Sequence, residues 1–381
     1  MKKIGVLAVR THNYGSLLQT YALQKVLDNM GYQNEIILYK KTNYAKQALR
    51  LLNIPLFKQT LAKVEKKIIT KTKHKELESL FSGRTEAFDS FIKRYLRFSK
   101  VYVGRNELIN GTKEYDGFVL GSDQVWNPMN YGADFFSMSF IPDSIRKIAY
   151  SPSFGVSEIP DYQKKKTAKF ISRIDYLSVR EVSGQKLIKE LSGRDAKIVV
   201  DPTILLERKY WDAFRGEALI DEPYIMCYFL GSNPNHRIFA QNLQKLTNYK
   251  IVCLPHMDEI VESDFDFGDY VPPSVGPEQF VNLISNAAFV CTDSFHGTVF
   301  SILYHKTFFT FDRYKSTGGD STNSRLNSIL EICGLESRKR QSEEGVPADM
   351  LCEIDYSEVE KRISELRRES VDYLIEALTE E

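Results

Sequence analysis

The chain has 381 residues, 43% hydrophobic and 27% charged, with a formal net charge of +1. That length exceeds one ordinary core and points to two domains of roughly 150 to 200 residues, while the composition excludes disordered, collagen-like and membrane-integral classes. The near-neutral charge supplies no overall attraction to nucleic acid, no run approaches the ~20 apolar residues of a membrane span, and Ile4 to Val9 ahead of His12 is too short for a secretion signal, so a cytoplasmic protein is expected.

The chain opens with Lys3-Ile-Gly-Val-Leu-Ala-Val9, a continuous apolar run of the kind shown by buried parallel strands. Polar Arg10 to Gly15 follows, and Leu17, Leu18, Tyr21, Ala22, Val26 and Leu27 then recur at helical spacing until Gly31. Glu35 to Tyr39 starts a second strand. In a strand, loop, helix, strand unit of this kind, the loop leaving the strand's carboxyl end faces the ligand crevice.

Residues 40–104 differ in character, with sixteen lysines and arginines against five acids. They read as a basic, helix-rich insertion whose plain role is a solvated face. Leu51, Leu52, Ile54, Leu56 and Phe57 beside lysines also suit peripheral contact with an anionic membrane surface. Strand-like runs resume at Gly117 to Leu120, Ile148 to Tyr150, Leu177 to Val179 and Ile198 to Val200, and again at Tyr224 to Phe229, Lys250 to Leu254, Phe289 to Thr292 and Thr307 to Thr310. Strands alternating with helices imply two parallel sheets. The expected division is 1–207 for an N-terminal Rossmann-like domain on the acceptor side, 208–345 for a C-terminal one on the donor side, and 346–381 for an acidic helix packing back on the first domain. Cys227, Cys253, Cys291, Cys333 and Cys352 are an odd number without CxxC spacing and read as reduced core residues with neither a metal site nor a disulfide framework.

Chemistry is expected in the loops after strand ends. Thr11-His-Asn-Tyr-Gly-Ser16 opens a helix, and Gly15 with the free amides there suits an anion or a sugar hydroxyl, although Asn and Ser also serve as plain caps. Gly121-Ser-Asp-Gln-Val-Trp-Asn127 offers Asp123 and Gln124 to hydroxyls and Trp126 as a plate for a sugar ring. Arg180, directly after a buried strand, must be paired or ligand-facing and can fork onto a carboxylate or phosphate; Asp201 stands at another strand end, where a helix cap is the plain alternative. The richest segment is Thr292-Asp-Ser-Phe-His-Gly297, where a strand runs straight into an apolar helix. It sets Ser294 and His296 at a helix N-terminus that favours anions, with Asp293 as the expected orienting carboxylate and Gly297 allowing a ligand close approach. Arg325 follows the hinge-like Gly318-Gly319 and adds a second guanidinium.

Asn13-Tyr14-Gly15 with Gln19, Gly121 to Trp126, Tyr150-Ser-Pro-Ser153-Phe-Gly155, Val179-Arg-Glu181, Asp201-Pro-Thr203 and Asp293 to Gly297, in this order, resemble the polysaccharide pyruvyl transferase family. The resemblance spans about residues 1 to 335 and implies two Rossmann-like domains facing across a cleft, as in GT-B glycosyltransferases. It implies phosphoenolpyruvate as co-substrate with no other cofactor, and a pyruvate ketal on a sugar of a cell-surface polysaccharide or exopolysaccharide precursor as product. On it, His296 and Asp293 are the expected catalytic pair. Arg180, Ser294, Gly297 and Arg325 are expected on the donor, and Asn13, Tyr14, Asp123, Gln124, Trp126 and Ser153 on a saccharide acceptor that the basic insertion would suit if lipid-linked. Better-studied members carry Arg-Leu-His-Gly where this chain has Ser294-Phe-His-Gly297, so that family arginine is absent here. No nucleic-acid partner is expected, and an oligomer is compatible with the sequence. A glycosyltransferase using a nucleotide sugar and a non-catalytic glycan-binding homologue are the competing readings.

Overall fold

The computed structural model describes residues 1–42, 75–129, 134–256, 261–264, 267–313, 323–341 and 345–379. Leu51 to Phe57 and the Gly318-Gly319 stretch, invoked above for membrane contact and for a hinge, lie outside the described residues.

In the N-terminal half the elements run β1 (Lys3–Leu7), α1 (Tyr14–Asn29), β2 (Gln33–Lys40), α2 (Lys75–Tyr95), β3 (Phe98–Val103), α3 (Arg105–Gly111), β4 (Gly117–Leu120), β5 (Arg146–Ala149), α4 (Asp161–Ile171), β6 (Tyr176–Val179), α5 (Val182–Ser192) and β7 (Lys197–Ile198). The strands form one parallel sheet in the order β3-β2-β1-β4-β5-β6-β7. Its centre is apolar on both faces: Val6 of β1 lies in register with Ile36 and Val119, all sealed from solvent. The edge strand β3 carries no continuous apolar run and leaves Val101 and Val103 about half exposed, which is why the run-based reading passes over it.

The short helices α6 (Pro202–Leu205) and α7 (Arg208–Arg215) lead into the second half, β8 (Tyr224–Tyr228), α8 (Pro234–Thr247), β9 (Lys250–Cys253), α9 (Pro277–Asn286), β10 (Phe289–Thr292), α10 (Phe295–Leu303), β11 (Thr307–Phe311), α11 (Ser324–Cys333) and β12 (Lys339–Arg340). This sheet is also parallel, ordered β12-β11-β10-β8-β9. Cys227, Cys253, Cys291 and Cys333 are buried thiols as expected, whereas Cys352 is exposed and not a core residue, since it follows a short surface turn ahead of the last helix.

The last helix, α12 (Ser357–Thr379), buries Val359, Ile363, Leu374 and Leu378 on one face. It returns to the first domain, where Ser370 Oγ accepts the Val200 amide at 3.0 Å and the Tyr373 hydroxyl donates to Ala149 O at 2.8 Å. The exposed Lys197–Glu376 pair at 3.3 Å adds little beside that burial. Among the described residues no helix is long and apolar enough to cross a membrane.

One apolar cluster runs through both halves. Tyr14, at the head of α1, stacks on Phe280 of α9 with centroids 4.5 Å apart and donates to Val275 O at 2.9 Å. Helix α2 belongs to the first half in sequence yet grips the second: Tyr95 bonds Glu278, and the fully buried Arg84 donates to Pro255 O at 2.7 Å. These contacts bring the carboxyl ends of the two sheets face to face, the location of ligand crevices in doubly wound proteins.

Candidate active site

The loops leaving β1, β4, β8, β10 and β11, together with the head of α11, enclose a cavity of about 360 Å³ between the halves. From the first half come Asn13, Ser16, Asp123 and Gln124; from the second come Asp293, Ser294, His296, Arg313, Asn323 and Arg325.

Local sequence explains the placement of each group. Asn13 caps α1, its Oδ1 accepting the Ser16 amide at 3.2 Å, which turns the Ser16 hydroxyl to donate to Asp123 at 2.6 Å. Ser294 caps α10, its Oγ accepting the Gly297 amide at 3.3 Å. That cap leaves the first-turn amides of Phe295 and His296 as the helix's orphan donors, beside the cavity. Gly15 is required by sterics: a Cβ there would stand 2.0 Å from His296 Nδ1 and 2.5 Å from Cγ. The imidazole, carried by the second domain, thus lies directly on the backbone of the first.

Beneath the cavity the charges are tightly arranged. The Arg180 side chain is 1% exposed; its Nη1 donates to Asp201 at 2.7 Å and to Ser122 Oγ at 3.1 Å, with Asp123 and Glu181 each 3.8 Å from other nitrogens. Its Nε and Nη2 make no hydrogen bond, and the Phe295 ring covers the guanidinium at 4.5 Å. Asp201 faces His296 Nε2 at 3.7 Å with the oxygen that also accepts the Thr203 amide and hydroxyl. Burial works against the Asp201 carboxylate, yet His296, Arg180 and the Thr203 amide outweigh it and hold its carboxyl far below the usual range. Asp123 is lowered in the same way, against burial, by Arg180, His296, the Ser16 hydroxyl and Arg325. Arg325 moves the other way: burial first, then Arg180, push its pKa down to about 10, so it remains a cation at neutral pH that an anion would stabilise.

The structure brings His296, Ser294, Arg325, Asn13, Asp123 and Gln124 together around the cavity. Other expected site residues stand elsewhere. Asp293 reaches the cavity wall, but its carboxylate accepts the amides of Leu230 at 2.6 Å and Gly231 at 2.8 Å, so it ties β10 to the β8 loop and does not orient His296; the carboxylate facing the imidazole is Asp201. Arg180 lies under the cavity floor, held by Asp201. Gly297 gives its amide to Ser294 and is needed because a Cβ would meet Thr292 Oγ1 at 2.5 Å. Trp126 is a core residue, packed on Phe154 and Phe170 with its indole N–H donating to Phe136 O at 3.2 Å. Ser153 is sealed beneath the loops and donates to Glu181 at 2.7 Å, and Tyr14 serves the domain interface. The cavity residues Ser16, Arg313 and Asn323 were not singled out from sequence. The strand-end rule finds Arg313, two residues past β11, whereas Asn323 follows no such signal.

No curated protein matches this chain by sequence. Among solved structures it is similar to a protein assigned as a UDP-N-acetylglucosamine 2-epimerase from Listeria monocytogenes (TM-score 0.53, 10% identity, covering 99% of this chain and 91% of that one). It is also similar to MnaA from S. aureus with UDP (TM-score 0.48, 14% identity, 100% and 99%) and to MurG from Acinetobacter baumannii (TM-score 0.46, 11% identity, 99% and 94%). The Listeria superposition, with the two parallel sheets, identifies a GT-B-like fold and says nothing of substrate at that identity. By sequence, the polysaccharide pyruvyl transferase family model covers residues 13–315, the loops after β4, β8 and β10 that line the cavity among them, and the chain belongs to that transferase family.

Proposed function

We propose that this protein transfers the pyruvyl unit of phosphoenolpyruvate onto two hydroxyls of a sugar in a surface polysaccharide or its precursor, forming a ketal. The observation that carries the reading is the convergence, around one cavity between the halves, of an imidazole, two cavity-facing arginines and the orphan amides of a helix start. Phosphoenolpyruvate carries a carboxylate and a phosphate, and its reaction begins with a proton delivered to the methylene carbon.

In this scheme Arg325 and Arg313 hold one anionic end of the donor and the α10 start with Ser294 holds the other. This assignment replaces the arginine missing at Ser294 with guanidiniums from the β11–α11 connection. His296 protonates the methylene carbon, making the adjacent carbon electrophilic. One sugar hydroxyl adds there and loses its proton; phosphate departs with the C–O bonding pair, and the second hydroxyl closes the ketal. Of the two protons the hydroxyls release, one balances that consumed at carbon and the other leaves with phosphate. Asn13, Asp123 and Gln124, on the opposite wall, accept and donate to acceptor hydroxyls. A water-soluble metabolite donor is consistent with a reaction on the cytoplasmic side.

The test is phosphate release from phosphoenolpyruvate across a panel of hexose and N-acetylhexosamine acceptors. Acceptor-dependent release by the wild type that His296→Ala abolishes supports the reading. Release without any acceptor requirement, or equal release by His296→Ala, rejects it. A nucleotide-sugar transferase is the second reading, since the same cleft architecture accommodates a diphosphate at a helix start.

A further inference from the structure

The pairing of Asp201 with His296 goes beyond the site roles assigned above. The two residues come from different domains and lie 95 positions apart in sequence, so no local motif joins them. Asp201 is fixed from three sides: Arg180 Nη1 at 2.7 Å and Ser122 Oγ at 2.8 Å hold one oxygen, and the Thr203 amide at 3.0 Å and hydroxyl at 2.7 Å hold the other. The oxygen held by Thr203 faces His296 Nε2 at 3.7 Å, an ion-pair distance that a small closure converts to a hydrogen bond, as happens when apo sites tighten on substrate. Nε2 is sealed from solvent and has no hydrogen-bond partner. The ring itself borders the cavity, and Nδ1, which lies in contact with Gly15, is the nitrogen not turned to Asp201.

We infer that Asp201 is a positioning residue that reaches across the domain cleft to keep the proton of His296 on Nε2, making Nδ1 the atom that exchanges protons with substrate. A neutral imidazole has one N–H, and the carboxylate selects which nitrogen bears it. With Nε2–H turned to Asp201, Nδ1 presents a lone pair when the ring is neutral and an N–H when it is charged, the two states an acid/base needs. Arg180 then acts one step further back, by holding Asp201 ionised and in place. The other charged groups around the ring are Asp123 on the opposite wall and Arg325 and Arg313 of its own half, which line the same cavity; Asp293, on the ring's own segment, is occupied by the Leu230 and Gly231 amides. In its purpose this inference rests on the proposed acid/base role of His296, but its geometry does not.

The experiment is a long-range proton–nitrogen correlation spectrum of the histidine rings in the full-length 15N-labelled protein, followed across pH. The chain has six histidines, and His296→Gln identifies the signals of interest. The inference predicts that the neutral His296 ring carries its proton on Nε2, and that in Asp201→Asn the ratio of the two tautomers shifts at least about tenfold toward Nδ1–H. A wild-type ring protonated on Nδ1 overturns it, and that spectrum alone suffices should Asp201→Asn not fold. A folded Asp201→Asn with an unchanged ratio also overturns it. Because no donor is needed, a protein that does not act on phosphoenolpyruvate but keeps Nε2–H sinks the proposed reaction and leaves this assignment standing.

Discussion

Gly15→Ala perturbs the placement of His296 by a single methyl group. The added Cβ would lie 2.0 Å from His296 Nδ1 and 2.6 Å from Cε1, so the ring must retreat by roughly 1.4 Å to regain ordinary contact. Alanine favours the helix by at most about 1 kcal/mol, while overpacking costs about 1 to 3 kcal/mol. The net loss is therefore about 0 to 3 kcal/mol, a fall of up to several degrees in Tm for a chain of this size. A displacement near 1 Å at a reacting group costs on the order of a hundredfold in rate. The variant should thus stay folded and lose about two orders of magnitude of acceptor-dependent phosphate release. Gly345→Ala, at a position with nothing within 4 Å, serves as the control and should change neither property. A Gly15→Ala protein with full activity would refute the claim that the imidazole must sit where it does.

Three further outcomes follow from the site. Arg325→Ala removes a cation facing the cavity, and losing a charge-assisted bond of about 1.5 to 3 kcal/mol should weaken phosphoenolpyruvate binding roughly 10- to 150-fold in calorimetry; unchanged affinity would move the anion elsewhere. Trp126→Ala should lower stability by about 3 to 5 kcal/mol in urea titration, while Trp126→Phe should keep saccharide affinity, since the ring is in the core; selective loss of saccharide binding in Trp126→Phe would restore it to the acceptor site. Asp123 and Asp201 both have carboxyls lowered in the folded protein, so the stability they supply is present above the ordinary carboxyl range near pH 4 and is lost as pH falls through their lower folded values. Asp201→Asn should flatten acid unfolding below about pH 4, and an unaltered acid limb would contradict the assigned charge states.

Much of the architecture is legible in the sequence because parallel strands covered on both faces appear as uninterrupted apolar runs, as at Gly117 to Leu120 and Phe289 to Thr292. The edge strands β3 and β12 lack that signal: one has exposed positions among its apolar residues and the other is only two residues long. For the site, the strand-end rule finds Asn13, Asp123, Ser294 and His296, because each follows a strand's carboxyl end, Asp123 in a loop and the others at a helix start. It fails where partners are chosen by the fold. Asp293 is three positions from His296, yet its carboxylate turns to the β8 loop; Asp201 reads as a helix cap, which it is, and also faces the imidazole of the other domain. Trp126 shows the same limit, since a tryptophan in a loop after a strand can point down into the core as readily as out to a ligand.

Whether the cleft holds phosphoenolpyruvate, as proposed, is decided by calorimetric titration of the wild type with phosphoenolpyruvate alongside uridine and guanosine diphosphate sugars. Saturable binding of phosphoenolpyruvate that Arg325→Ala weakens is expected, with no comparable heat from the nucleotide sugars. Binding of a nucleotide sugar in place of phosphoenolpyruvate would contradict that expectation and make His296 a phosphate contact of a glycosyltransferase.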